Sequence, residues 1–403
     1  MYQLKSITCL ILCCIWPWTA HSHPPLQLFV DLTPPGGTLR PPPGIYSGPV
    51  VIKFPITLDG EQQVTIDGGG EGTVVHVKAD DVTVRNLHIT HSGNSHDKVD
   101  AGILLTADNA TIENNTIDDV LFGIHLQQSN DNRIKHNQIS SRPTTSSLRG
   151  ESIRLWYSTG NLIKENTISG ARDVLLTNSS ENRIIGNYIE KSRIGMELIY
   201  SHDNELADNT ISNTDTGLVL IYSDNVDIHD NEIRHLREIG SSALAIKESS
   251  EVRVENNKIL HCRTGLIANT PTHPENILHL QGNQFLYNDI AMYFYGDKGG
   301  HILHNNLFKN NVMEVAVSAP MSARDNDWQG NIWQNYEGFD LDKDGSGDTP
   351  YELYLYSDRL WMDRPMIQFF RSSPVLEVID FIERLAPFSN PELILSDPRP
   401  KMN

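Results

Sequence analysis

The feature that most constrains this chain is a short repeat: an apolar strand of three or four residues, an Asn, any residue, then Ile, Phe or Trp, a polar turn and a second apolar strand. It recurs from residue 80 onward at Asn115-Thr-Ile117, Asn137-Gln-Ile139, Asn166-Thr-Ile168, Asn187-Tyr-Ile189, Asn209-Thr-Ile211, Asn231-Glu-Ile233, Asn257-Lys-Ile259, Asn283-Gln-Phe285, Asn306-Leu-Phe308 and Asn331-Ile-Trp333. The spacings are 22, 29, 21, 22, 22, 26, 26, 23 and 25 residues. A second marker, Gly before a large aliphatic, falls between them at Gly102-Ile103, Gly123-Ile124, Gly195-Met196, Gly217-Leu218 and Gly265-Leu266. Each period therefore holds two or three short strands joined by turns.

Helical repeats need roughly 34 to 47 residues, and these strands are too short and too β-branched for helices. Leucine-rich repeats need a Leu lattice that is missing here. Stacked turns bearing Asn suit a right-handed parallel β-helix, because Asn tolerates left-handed backbone and identical amides one coil apart can bond in a ladder. The expected fold is all-β: about ten to twelve coils, roughly 4.8 Å apart, form a rod of about 50 to 60 Å. Both open ends must be covered, since each could template further strands. The expected layout is a secretory leader over 1–22, an N-terminal cap and first coils over 23–75, β-helix repeats over 76–335, and an acidic loop, aromatic segment and C-terminal helix over 336–403.

The leader is read from Lys5, the apolar run Ile7 to Trp16 and the small or polar residues after it; that run is too short to span a membrane. Cleavage after Ala20 or after Ser22 both remain open. Three of the four cysteines lie in the leader, so the exported chain keeps Cys262 alone and can form no internal disulfide. The formal charge of −19 becomes −20 when Lys5 leaves. Such a surface repels nucleic acid and anionic polysaccharide and tolerates cations.

Four groups could hold a metal. Asp340, Asp342, Asp344 and Asp348 alternate around Gly345 in the pattern that wraps a hard cation such as Ca²⁺ in oxygen; Tyr351 at the twelfth position excludes an EF-hand, and the alternative is a solvated acidic turn. His88, His91 and His96 lie in an expected loop from His88 to Asp100, and imidazole suits copper, zinc or nickel. His21 and His23 become the first and third residues if cleavage follows Ala20, where amine, amides and imidazole chelate Cu(II). Met292, Met313, Met321 and Cys262 are the soft ligands for Cu(I), against the alternative of core filling.

No nucleophile elbow, phosphate loop or zinc-protease helix is present, and no set of carboxylates beside a base stands out, so a catalytic role is not expected. In the tail, Ser372-Ser373-Pro374 opens an expected helix with Val375, Leu376, Ile379, Ile382 and Leu385 at helical spacing. Phe369, Phe370, Phe381 and Phe388 exceed what a cap needs and are read either as a docking surface or as core.

These features together resemble the NosD family of nitrous oxide reductase maturation proteins. The resemblance runs from Gly37 to Tyr46 and Ile66-Asp67-Gly68-Gly69, through Leu121-Phe122-Gly123-Ile124, to Asn331-Ile-Trp333 and from Gly338 to Tyr351. It implies a periplasmic protein working with an ABC-type permease and its cytoplasmic ATPase, a copper chaperone and a periplasmic copper enzyme, with copper as transient cargo. The family often places Met before the aromatic-Ser turn; here Ile199 precedes Tyr200-Ser201 and Ile221 precedes Tyr222-Ser223. The rival expectations are a β-helix lyase or epimerase acting on polysaccharide, and a scaffold without ligand.

Overall fold

A three-residue strand with one apolar residue at its centre can bury only that residue, so such strands must be stacked to make a core. The coil around Ile163 shows how the chain does this. Leu162–Lys164 and Thr167–Ser169 each turn a single Ile inward, and Val174–Thr177 returns on the opposite side. Each pairs in parallel with its counterpart one coil on, Ile163 with Ile184, Ile168 with Ile189 and Val174 with Met196. Repeated along the chain, the third strands build a twelve-stranded parallel sheet and the first two strands build a surface of 24 strands. The result is a parallel β-helix, filled by one continuous cluster that runs from Leu26 to Leu395.

The computed structural model describes residues 23–142, 145, 148–269, 277–355 and 392–402. The leader with His21, the insertion over 270–276, and the segment 356–391 with Phe369, Phe370, Phe381, Phe388 and the expected tail helix all lie outside them. Two short helices occur among the described residues, Gln27–Leu32 and Met321–Arg324. None there is long and apolar enough to cross a membrane.

The Asn of each repeat forms an unbroken buried column. Asn115 Nδ2 donates to Asn137 Oδ1 at 3.0 Å, Asn137 to Asn166 at 3.0 Å, and so on to Asn306 and Asn331 at 3.1 Å. The backbone N–H of each donates to the same oxygen, and Nδ2 also reaches a carbonyl of an earlier coil, as Asn209 does to Ile184 O at 2.8 Å. Every polar atom of the corner is thereby used, which is what makes amide burial tolerable. One expectation needs correction: the ladder Asn is not the left-handed residue. The residue before it is, with φ of 55° at His136, 53° at Glu165 and 55° at Asp208. The ladder oxygen meets the chain's needs only if the corner is turned one position earlier.

The two ends close differently. At the first coils, Leu26 and Val30 are buried and Gln27 Oε1 accepts the Val51 N–H at 2.6 Å. At the far end Phe285, Phe308, Trp333 and Tyr351 stack at centroid separations of 5.5, 4.3 and 4.5 Å. The strand Glu392–Asp397 pairs antiparallel with Tyr351–Leu355 and delivers Asp397 to the top of the Asn column. One carboxylate oxygen of Asp397 accepts from Asn331 N, Asn331 Nδ2 and Trp333 Nε1 at 3.0, 3.0 and 3.1 Å.

Candidate functional site

The acidic loop sits against that closure. Gly347 N donates to Pro400 O at 2.7 Å and Met402 N to Gly345 O at 3.1 Å, so the loop is tied to the last residues of the chain. Asp340, Asp342 and Asp344 each bring one carboxylate oxygen within 4.8 Å of the others. Their oxygens accept the N–H groups of Asp344, Gly345 and Ser346. Asp348 instead accepts Leu341 N at 2.6 Å and is not one of the three. A hard cation would meet three preformed oxygens here, those of Asp342 and Asp344 exposed and that of Asp340 half-buried.

The histidines expected to act together do not meet. His88 lies on the strand Thr83–Thr90, not in the loop, because its neighbours Leu87 and Ile89 are core residues that fix it outward. Its Nε2 is 2.9 Å from Asp118 and its Nδ1 3.3 Å from Thr65. His91 binds Asp67 at 3.1 Å, and His96 sets its ring edge-on to Phe122. His88 and His136 line a polar groove of about 380 Å³ together with Gln62, Asn86, Asn114 and Gln138. His23 is exposed ahead of the first coil.

The soft ligands are not one site either. Met292 and Cys262 are fully buried and Met313 nearly so, because they fall on inward positions of their coils, whereas Met321 is 56 % exposed. Burial first, and then a nearby carboxylate, push the Cys262 thiol up to about 12, partly opposed by hydrogen bonding and by Arg237; a thiolate there is disfavoured.

A cluster that the sequence reading passed over is more unusual. Gly102, Gly123, Ser152, Asp173, Gly195, Gly217, Ala243, Gly265 and Ala291 occupy one register position, at the beginning of the third strand of successive coils. The position is small for a reason: a Cβ at Gly195 would lie 2.6 Å from Gly217 O, and one at Gly265 2.4 Å from Ala291 O. Asp173 is the exception, with a carboxylate that is fully buried. Its Oδ2 lies 3.1 Å from Arg193 Nη2 and 3.5 Å from Arg172 Nε, and Arg172 also reaches Glu151 at 3.5 Å. On the adjacent outward position His125 and Arg154 are register partners. Asp173 Oδ1, Glu151 Oε2, Arg154 Nε, Arg193 Nε and His125 Nδ1 are all buried without a partner among the described residues.

Burial, then the Glu151 charge, raise Asp173 to about 7 against the pull of Arg172 and Arg193. Burial, then Arg154, lower His125 to about 4. Such a cluster can hold or release a proton near neutrality; with hard oxygens, guanidinium groups and a single imidazole it is a poor copper site. The signal for it is in the sequence: the Gly-aliphatic marker is interrupted only twice between Gly102 and Gly217, at Ser152 and Asp173, next to the 29-residue period.

Comparison with known proteins agrees with the β-helix. Residues 62–168 match the family described as right handed beta helix region, and residues 136–338, half of the chain, match the family described as periplasmic copper-binding protein (NosD). A Pseudomonas aeruginosa protein named "Probable ABC transporter binding protein NosD" is 29 % identical over 368 residues, covering 85 % of this chain and 83 % of the relative. A protein of the same name from Stutzerimonas stutzeri is 28 % identical over 376 residues, covering 86 % and 83 %. Among solved structures, a Yersinia enterocolitica family 28 exopolygalacturonase superimposes with TM-score 0.51 at 10 % identity, over 73 % of this chain and 72 % of that one. The catalytic domain of a GH87 alpha-1,3-glucanase does so with TM-score 0.51 at 12 % identity, over 72 % and 65 %. At these identities the two enzymes share the coil architecture alone. The chain belongs to the NosD family, described as periplasmic copper-binding protein.

Proposed function

We propose that this chain is a periplasmic maturation factor that works with an ABC-type permease and its ATPase in delivering copper to nitrous oxide reductase or a related copper enzyme. The observation that carries this reading is the match to two proteins named ABC transporter binding protein NosD over 85 % and 86 % of the chain. A net charge of −19 favours handling a cation and disfavours polyanions. With Cys262 and Met292 enclosed in the core, cargo copper would be held by surface side chains.

The enzymatic alternative, a polysaccharide lyase or epimerase, would draw on Asp173, Glu151 and the arginines around them. Enclosure of the Asp173 carboxyl keeps a polymer from it. Deleting the gene in its own host tests the maturation reading: nitrous oxide reductase, or the related enzyme, is expected to accumulate without its full copper complement, and a normal metal content would refute it. Docking through the aromatic tail is tested by removing residues 360–391 while keeping 392–402, which close the rod; loss of co-purification with the permease and ATPase is expected, and undiminished co-purification overturns it.

A further inference from the structure

At the closing end of the rod a cleft stands out against the acidic surface by its charge. The last residues of the chain run extended between the final coil and the acidic loop. On one side Gly330 N donates to Arg399 O at 3.1 Å and Lys401 N to Asn331 O at 3.0 Å; on the other, Gly347 N donates to Pro400 O at 2.7 Å and Met402 N to Gly345 O at 3.1 Å. Lys401 accordingly bridges to Ile332 in parallel and to Ser346 antiparallel. Side chains two residues apart on an extended segment leave from the same face. Pro400 is buried, and Arg399 and Lys401 on either side of it are both exposed.

The two cations line a cleft of about 330 Å³ together with His304, Asn305, Gln329, Gly330 and Ser346. No carboxylate is among these residues, although the chain carries 51 acidic residues against 32 basic ones. The acids close by are engaged elsewhere. Asp327 meets His304 Nε2 at 2.9 Å, and the buried Asp397 accepts from Asn331 and Trp333. Asp340, Asp342 and Asp344 accept N–H groups of their own loop. Exposed arginines on the coils are paired, Arg183 with Glu205 at 2.6 Å and Arg253 with Asp227 at 2.9 Å. The side chains of Arg399 and Lys401 have no partner among the described residues. Gly330 keeps the floor open, since a Cβ there would lie 2.8 Å from Asn305 Oδ1.

We propose that this cleft binds a small oxyanion, a phosphate or a carboxylate, through Arg399 and Lys401. A guanidinium presents paired N–H donors that match two oxygens of such a group, and an ammonium adds a compact charge. The Ser346 hydroxyl and the amides of Asn305 and Gln329 supply neutral donors around the same space. The walls come from the final coil, the tail and the acidic loop, so a bound anion joins all three. The site involves no copper and does not rest on the maturation reading.

The test is calorimetric titration of the exported full-length chain with inorganic phosphate and, separately, with succinate, at low ionic strength where screening is weak. Saturable heat from at least one of them is expected, and the anion that gives it decides between phosphate and carboxylate. Arg399→Gln and Lys401→Gln should each weaken binding by about tenfold or more, through loss of a charge-assisted hydrogen bond, and the double variant should abolish it. Both side chains are exposed, so the melting temperature without anion should not change. Arg399→Lys keeps the charge but loses the paired donors, and a loss of about threefold or more is expected from it. Lys247→Gln, which removes an exposed cation outside the cleft, should bind as the parent does. Absence of heat with both anions overturns the site. So does a double variant that binds within about twofold of the parent, or a Lys247→Gln variant weakened as much as Lys401→Gln, which would mark a diffuse field in place of a cleft.

Discussion

The Asn ladder and the Asp173 cluster are both buried polar groups built by stacking one position of the coil, yet they satisfy opposite rules. In the ladder, ten Asn residues from Asn115 to Asn331 pass hydrogen bonds from coil to coil, with Leu87 N–H donating at one end and Asp397 accepting at the other. Around Asp173, five buried atoms have no partner among the described residues, spread over four successive coils. A repeat satisfies itself only while each coil offers what its neighbour needs. Where a Gly position receives a carboxylate, the next coil answers only one of its oxygens, through Arg193 at 3.1 Å.

If that contrast is right, breaking the ladder should cost stability and relieving the cluster should return it. Asn209→Ala removes the oxygen that accepts both Asn187 N–H and Nδ2, and the donor to Ile184 O. With unsatisfied buried groups at about 1 to 3 kcal/mol each, a loss of roughly 4 kcal/mol in urea unfolding is expected; a loss below about 1 kcal/mol would mean that the ladder is decorative. Asp397→Ala strands three donors at once, at the rod's end. About 3 kcal/mol is expected, with Asp397→Asn costing less because an amide oxygen remains.

Asp173→Asn should act in the other direction, and with pH. The folded chain holds the Asp173 proton more tightly than the unfolded one, about 7 against 3.8. The folded state therefore binds the extra proton between those values, and the stability owed to it is present below about pH 4 and lost as pH rises through 7. The difference is up to about 4 kcal/mol, at about 1.4 per unit of pKa. The Asn variant lacks this loss, so its advantage over the parent should grow from pH 4 to 7 and level off above. Urea unfolding of both proteins across that range checks it; an advantage independent of pH would show that Asp173 is ionised throughout.

The sequence displays what repeats and hides what closes or departs from the repeat. The coil, its strand count and the Asn column follow from spacing, because one local rule is obeyed ten times. Asp397 was invisible as a ladder residue because it lies 66 residues beyond its partner Asn331, on a strand that runs antiparallel to its neighbour. The left-handed corner residue was misplaced by one position because His136, Glu165 and Asp208 fill it with no shared chemistry. His88 looked like a loop residue among polar neighbours, although Leu87 and Ile89 mark a strand. Met292 and Cys262 offered two readings, soft ligand or core filling, and their register places them inward. Arg399 and Lys401 likewise meet His304 and Gln329 only once the tail lies along the last coil.

The smallest expected effect bears on how the ladder's end is held. The carboxylates of Asp340, Asp342 and Asp344 belong to a loop whose Gly345 and Gly347 bond to Met402 and Pro400, a few residues beyond Asp397. A Ca²⁺ ion bound there would stiffen the loop that holds the tail against the last coil. For an affinity of roughly 10⁻⁴ to 10⁻³ M, 1 mM calcium should add about 0.4 to 1.4 kcal/mol to unfolding. Calorimetry on chelator-stripped protein should show the heat, and Asp342→Asn should remove it; no heat with the parent chain eliminates the ion. The sharper comparison uses Asp397→Ala. If the ion acts by pinning the tail, calcium should bind this variant as before yet add little to its stability, because the tail no longer closes the column. Stabilisation of equal size in both chains would mean that loop and ladder are independent.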